Sequence, residues 1–487
     1  MDLPNKRGHH SCDIFSNINL IQKLASITLV LVWSVVLSNS ARAGIAPRLE
    51  AALYYNDNVT LATPGQEQEA YITELKPGIL LERDGRRFNG RLDYTLQVLN
   101  FSGDIDRTDT YHQLLANSTT MLVSQLLFLD AGASYSQQFI SPDDDIALDN
   151  LSVTENRTDV LTYSLSPYVR QQYGSTANAE YRIGSQRVEY KESATVDQID
   201  STNSSAFITV ESGPRFNQLR WGVTYSYDQI DYDEEGVDTT LQNTLLGLRY
   251  QLSPKFGVLT NIGYEDNEYE QVAGEDPPSG TIWSAGFAWT PSRQTSLEIT
   301  TGERFFGSTA SFNFRHRARQ TEWLLAYTED ITTTPQLLAE YETGGDLGSG
   351  VSANPILRQT TSVIFLKRIL FSFSLETSKT IVNAELFKDQ REYQDTNQQE
   401  DVLSADISWR WRFMPRTTAI LSTTWYETNP SVTDRTDRLM SNSLSVERRI
   451  RRTVTGIISY GTLKRDSEVE SAEYERNLVS MALRAEF

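Results

Sequence analysis

The chain is poor in the residues that most reaction chemistry needs. It has one cysteine, Cys12, and four histidines, of which only His112 and His316 lie beyond residue 43. Without cysteine in the remainder, disulfides, thiolate nucleophiles and zinc–thiolate sites are excluded. A serine–histidine or aspartate–histidine hydrolase would need His112 or His316 beside a nucleophile or an activating carboxylate. His112 follows Asp109 at a strand start, and His316 stands in Arg315-His316-Arg317 beside a tight turn. G-x-S-x-G, H-E-x-x-H and a glycine-rich phosphate loop opening a helix are all missing. The expectation is a protein that is not an enzyme and holds no cofactor or metal. Positive charge is also short, with 44 Lys and Arg against 64 Asp and Glu, a formal charge of −20. That balance speaks against a nucleic-acid partner, which needs a basic face. Beyond residue 43 no run reaches the ~18 apolar residues of a membrane helix.

Residues 1–43 read as a signal to be removed. Lys6, Arg7 and Lys23 precede an apolar stretch from Leu24 to Leu37, and Ala41-Arg42-Ala43 supplies a small-residue cleavage site before Gly44. The apolar stretch is shorter than the ~20 residues of a spanning helix. Cys12 leaves with this segment. So do four basic and two acidic residues, which takes the formal charge from −20 to −22. Residues 44–487 then form a single domain.

What the rest has in abundance is alternation. From Phe88 to Val98, Phe88, Gly90, Leu92, Tyr94, Leu96 and Val98 share one face, and Asn89, Arg91, Asp93, Thr95 and Gln97 the other. Ala405, Ile407, Trp409, Trp411 and Phe413 form another greasy face. The last segment sets Val479, Met481, Leu483, Ala485 and Phe487 against Ser480, Ala482, Arg484 and Glu486. Side chains of a strand alternate with period two, so each segment has one lipid-compatible and one wet face. Charged residues in the middle of the wet faces suit a solvent-filled lumen better than a packed sandwich. Twenty-three tyrosines and eight tryptophans suit interfacial aromatic girdles. Tight turns such as Arg83-Asp84-Gly85-Arg86, Tyr173-Gly174-Ser175 and Met414-Pro415-Arg416 alternate with long acidic loops, including 103–110, 140–157 and 265–279. The expected fold is all-β: a transmembrane up-and-down antiparallel barrel of about 22 strands, within a range of roughly 18–24. Strand-like sequence begins within a few residues of Gly44. This leaves no room for a separate plug domain, and a TonB-dependent transporter is not expected. The glycine-rich run Gly344–Gly350 marks the longest stretch without strand pattern and suits a loop folding inward. An even strand count places both termini on the periplasmic side.

Charge is polarised between the two kinds of connection. Arg449, Arg451 and Arg452 fall in a tight turn, while Arg410, Arg412 and Arg484 take inward strand positions near that end. Together they would make a basic periplasmic mouth. One reading is a pore that attracts an anionic polymer by a focused field. The other is ordinary basic turns, with acidic loops bridging divalent cations to lipopolysaccharide phosphates. Asp143-Asp144-Asp145 has the oxygens for a calcium ion but no EF-hand spacing, and a solvated acidic loop is the better reading.

Several segments resemble a known family. Tyr55-Asn56-Asp57-Asn58-Val59, Glu74-Leu75-Lys76-Pro77-Gly78-Ile79 and Leu92-Asp93-Tyr94 are followed by Gly302-Glu303-Arg304-Phe305-Phe306-Gly307. Arg315-His316-Arg317-Ala318-Arg319, Trp323 and Tyr327 to Thr334 continue the series. The chain resembles the PEP-CTERM system-associated outer-membrane β-barrel family along nearly all of residues 44–487, most specifically over 302–334. The resemblance implies the Gram-negative outer membrane and an association with exopolysaccharide synthesis and exosortase sorting. It implies no catalytic residues. The expected function is a passive conduit in exopolysaccharide export or surface assembly. The alternatives are a general or solute-specific porin and a structural barrel plugged by its own loops. Expected partners are membrane lipid and lipopolysaccharide, the outer-membrane assembly machinery, and an exopolysaccharide cargo.

The terminal strand generates the first prediction. Leu483, Ala485 and Phe487 are expected to serve as the signal read by that assembly machinery. Deleting Phe487 should lower outer-membrane insertion far more than losing one lipid-facing side chain would. Normal insertion of the truncated chain, followed by membrane fractionation, would leave Phe487 as an ordinary girdle residue.

Overall fold

The computed structural model describes residues 43–191, 199–234, 238–275, 277–344, 357–430 and 435–487. The expected signal segment lies outside the described residues, as do Gly345–Gly350 of the glycine-rich run. Twenty-two strands run from β1 (Ala43–Asn56) to β22 (Tyr474–Glu486), each antiparallel to its neighbours in sequence. β1 pairs with β22 from Arg48↔Glu486 to Asn56↔Leu478, which closes the sheet on itself. Closure leaves no strand edge at the junction, a condition lipid imposes because it offers backbone groups no hydrogen bonds. The chain's final residue seals the join, with Phe487 N–H donating to the Pro47 carbonyl at 3.0 Å.

Strands run from 10 to 17 residues, enough to cross a bilayer and in most cases to project beyond it. At the end shared by the two termini the connections are short, the longest being 213–218. Gly174 turns one of them with φ +59°, a conformation few other residues adopt. The opposite end carries 57–69, 140–156, 191–200, 267–278 and 334–362. Two of its connections are tight: residues 104–106, within the loop expected at 103–110, and residues 305–306.

β18 (Gln398–Met414) shows how sequence becomes wall. Ile407 is 45% exposed and Trp409 40%, and both point outward, whereas Val402, Ser404 and Asp406 on the other parity are buried. Outside, Trp409 stacks on Trp411 with centroids 5.8 Å apart, and Phe413 follows at 5.4 Å. Leu53, Ile183, Ile262, Ile458 and Met481 continue the exposed apolar surface around the wall. An exposed band of this extent is a lipid face.

The expectation of a barrel without a plug is corrected here. At the loop end three segments fold into the lumen and pack on the wall. The inward parity turns from polar to apolar there. In β3 (Phe88–Gly103), Leu99 and Phe101 continue the face begun by Asn89 and Arg91, and both are fully buried. Apolar groups in that position need a cover, which the loops supply.

This geometry predicts heat-modifiable migration. Because every wall strand is paired on both sides, the protein should resist detergent until boiled. Unboiled and boiled samples should run differently on a detergent gel. Recovery in the soluble periplasmic fraction, with no such difference, would defeat the membrane reading.

Candidate functional site

Toward the turn end the inner wall is wet and internally neutralised. Arg91 pairs with Glu82 at 2.8 Å, Arg182 with Asp130 at 2.8 Å and Arg249 with Glu298 at 2.7 Å, and Arg48 pairs with Asp93. A cavity of about 520 Å³ opens among Glu82, Asn89, Arg91, Asn117 and Asp130. Alternation puts these side chains inside, and their mutual pairing removes much of the field each would exert alone.

The loop end is closed. Residues 140–156 connect β5 (Leu127–Phe139) to β6 (Arg157–Tyr173) and lie inside the lumen. Ile146 and Ala147 pack with Phe387, Val402, Tyr426, Leu439 and Leu463 of the wall. Leu151 joins Val59, Ala70, Ile72, Leu99 and Phe101. The segment 57–69 is drawn in with it: Val153 N–H donates to the Val59 carbonyl at 2.8 Å, and Asn56 Nδ2 to the Leu151 carbonyl at 2.7 Å. On the other side α1 (Thr334–Gly344) buries Leu337 and Leu338 against Ile364, Leu366 and Tyr393.

Arginines hold the loop in place. Arg465, 1% exposed, donates to the carbonyls of Pro142 and Asp143 at 3.3 and 3.0 Å and to that of Asp144, and to Asp437 Oδ2 at 2.7 Å. Arg476 grips Asp149 with two bonds of 2.9 and 2.8 Å and reaches Ser152 at 2.8 Å. Arg435 donates to the Asp143 carbonyl, Arg358 to its carboxylate, and Arg157 to the carbonyls of Ala147 and Asp149. A guanidinium carries five donors in a fixed fork, so one side chain can satisfy several loop carbonyls that have lost water. At the neck, the Asn156 amide accepts from the N–H groups of Ile140 and Ser141 and donates to the carbonyls of Ser141 and Asp145. Asp143-Asp144-Asp145 is therefore a lumen-inserted strap gripped by wall arginines. The arginines hold its carbonyls and the Asp143 carboxylate while the Asp144 side chain stays exposed, and no metal-binding group of three or more is found among the described residues. Burial pushes the Asp149 carboxyl up, but Arg476 and the Leu151 N–H outweigh it and hold the group below the usual carboxylate range.

The expected basic mouth is divided. Arg410, Arg412, Arg449, Arg451 and Arg452 are exposed at the turn end, and Arg412 donates to the Ser378 carbonyl. Arg484 does point inward, yet it meets Glu50 at 2.7 Å and Glu447 at 3.5 Å, so its charge is offset. Leu483, Ala485 and Phe487 line one outward stripe of β22. His112 bonds the Tyr94 hydroxyl at 2.8 Å and His316 the Thr295 hydroxyl at 2.9 Å. Both stand on outward faces, away from the lumen. Sequence reading missed the loop-gripping arginines altogether. The signal available was Ile140, Ile146 and Leu151 within an otherwise acidic loop, matched by apolar inward positions near the same end of many strands.

A prediction follows from the Arg476–Asp149 pair. Arg476→Met should loosen the strap by an amount between the ~1 kcal/mol of an exposed pair and the ~3–5 kcal/mol of a buried one. Adding Asp149→Asn should restore much of that loss. The wild-type contact is present above the usual carboxylate pKa of about 3.9 and is lost as pH falls through the lower value in the folded protein. Protease cleavage within 140–156 should therefore rise in the single variant at pH 7, and in the wild type only in strong acid. Equal protection of both proteins at every pH would remove the pair from the latch.

No protein-family model matches the chain, and no curated protein matches it. Solved structures do share its fold. The FrpB iron transporter from Neisseria meningitidis (F3-3 variant) aligns at TM-score 0.50 and 9% identity, over 93% of this chain and 83% of that one. The ferric enterobactin receptor PfeA from Pseudomonas aeruginosa gives 0.49 at 10% over 92% and 82%. The siderophore receptor PirA from Acinetobacter baumannii gives 0.48 at 7% over 92% and 81%. Barrels of this fold have a plug domain, against the expectation of no separate plug domain; what fills this chain's own lumen is its segments 57–69 and 140–156. At such identities the likeness is one of fold. With its closed wall of 22 strands and its exposed apolar band, the chain is a β-barrel of the Gram-negative outer membrane.

Proposed function

We propose that this barrel serves the export or surface assembly of an exopolysaccharide, as a conduit that is closed at rest. The observation that carries this reading is a polar lumen accessible from the turn end and capped at the loop end by a strap held through charged contacts. Contacts of this kind can be exchanged for water without tearing the wall. The polymer is suggested by the family resemblance, whose most specific stretch, 302–334, builds part of the wall itself. A freely open diffusion porin fits the capped lumen poorly. The reading contains no catalytic step, and it takes the wall lipids and lipopolysaccharide as the barrel's surroundings.

Two rivals deserve measurement. The strap equally suits a structural barrel that never opens. The iron transporter of similar fold suggests a small chelated cargo instead. In planar bilayers the wild-type protein should conduct little, and replacing 141–155 by a short glycine linker should raise conductance severalfold. A linker variant that stays silent favours the structural barrel. In cells, loss of the chain should abolish secreted polysaccharide while small-solute and iron uptake stay intact. Unchanged polysaccharide, or a selective loss of iron uptake, rejects the export reading.

A further inference from the structure

The wall is not sewn evenly. β14 (Gly307–Arg317) and β15 (Thr321–Thr333) share only six rungs, the fewest of any neighbouring pair, and the last is Phe312↔Tyr327. Above it, Gly307 to Ser311 pair only with β13 (Thr295–Arg304), and Thr328 to Thr333 only with β16 (Val363–Glu376). β13 leans the other way. A Cβ on Gly302 would stand 1.9 Å from the Trp283 carbonyl, so the strand presses onto β12 (Ser279–Ser292) where only glycine fits. The seam begins at a defined height. Tyr327 faces Ile369, which is 47% exposed on the apolar band, and the rungs above bring in Glu329 and Lys367. The gap therefore lies where the outer surface passes from apolar to charged.

Side chains span the gap in place of backbone. Arg304 Nη1 donates to the Glu329 carbonyl at 3.1 Å and to Asp330 at 3.2 Å, while Nη2 meets Glu265 at 2.5 Å. From the hairpin tip, the Phe306 ring reaches Phe365 on β16 at 4.4 Å. Three polar atoms on the lumen side here are buried with no partner in the protein: Glu265 Oε2, the Tyr269 hydroxyl and Arg304 Nε. Glu265 is only 2% exposed. Buried polar groups in native proteins are nearly always paired, and leaving one unpaired is costly. A cluster of such groups in one gap marks a place built for a visiting partner. The carboxylate oxygen needs a donor, the guanidinium N–H needs an acceptor, and the phenol takes either. Hydroxyl groups supply both roles on one small unit, and a saccharide carries them in series.

We propose that the upper half of the β14–β15 seam is a side opening of the lumen, and that Glu265, Tyr269 and Arg304 form a binding site there for the hydroxyls of a saccharide chain. The binding site stands on the seam's own chemistry, whereas its use as an exit rests on the export reading above. The strap need not leave the lumen for a chain to pass here; the Arg304 and Phe306 contacts must.

Binding is tested on the purified barrel with neutral, N-acetylated and uronic hexasaccharides, by saturation-transfer NMR. At least one probe should bind. Tyr269→Phe should weaken it by about tenfold with the thermal unfolding midpoint nearly unchanged, and Glu265→Gln, which also gives up the ion pair with Arg304, should weaken it at least as much. Tyr269→Phe removes a hydroxyl that has no partner within the protein, so a purely structural role predicts no loss of binding. No binding of any probe, or equal binding by both variants, overturns the site. The exit is tested with Ser311→Cys/Thr328→Cys, the rung that would come next. No other cysteine follows residue 12, so the only disulfide is the one that closes the seam. Oxidation should cut polysaccharide export at least about fivefold, with recovery on reduction. A formed disulfide with undiminished export overturns the exit, as does failure of the pair to form under oxidant. If deleting the whole chain leaves export intact, the export reading fails instead, and hexasaccharide binding still decides the site.

Discussion

A wall of twenty-two strands encloses more space than its own side chains can fill. Lipid dictates closure, since no backbone donor or acceptor may face hydrocarbon unpaired. Closure at this strand number then sets a diameter at which inward side chains no longer meet across the axis. Everything else inside the molecule answers that surplus of space. Near the turn end the answer is water, with charges paired along the wall. Near the loop end it is polypeptide, and the inward faces of the strands become apolar to receive it.

The way the strap is held follows from what it replaces. A loop inside a lumen brings carbonyls and N–H groups into a space with little water, where each needs a new partner. Hydrophobic contacts from Ile146 and Leu151 supply drive but satisfy none of these groups. Arg465 and Arg476 do, from strands near the C-terminus, and so does Arg435 from a connection between strands, all reaching a loop more than 290 residues earlier. Their charge is in turn balanced by Asp437 and Asp149. Buried ion pairs give little net stability, because desolvation offsets their attraction, yet removing one partner is costly. The strap is thereby fixed in one position without being welded there.

This explains what could and could not be read from the sequence. Strand faces were legible because period two is local. Phe88 to Val98 needs no distant information, and neither does the outward stripe of Trp409 and Trp411. The alternation of short and long connections was legible for the same reason, and an even strand count set both termini at one end. The plug was not legible as a plug, since an acidic loop reads as solvated unless its partners are known. Arg465 and Asp143 are adjacent only after the barrel closes. Arg484 shows the limit from the other side: its inward direction was readable, but its neutralisation by Glu50 depends on the β1–β22 register, which spans nearly the whole chain. A count of basic residues at one end therefore could not show that Arg484, alone among the six named, is paired with acids.

The seam was beyond sequence reading for a different reason. Residues 307–311 and 328–333 alternate well enough to be strands, and they are strands; what is missing is their pairing with each other. Pairing is a property of two segments and of the strain around them. Gly302 marks a close approach of β13 to β12, on the side away from β15. Arg304 then does with one guanidinium what a ladder would have done with several peptide groups, and it leaves polar atoms unsatisfied beside it. A ladder that gives way to side chains at one height is a wall that can part there without unfolding. The paired rungs below, from Phe312 to Arg317, keep the two strands in register and the barrel closed across the apolar band.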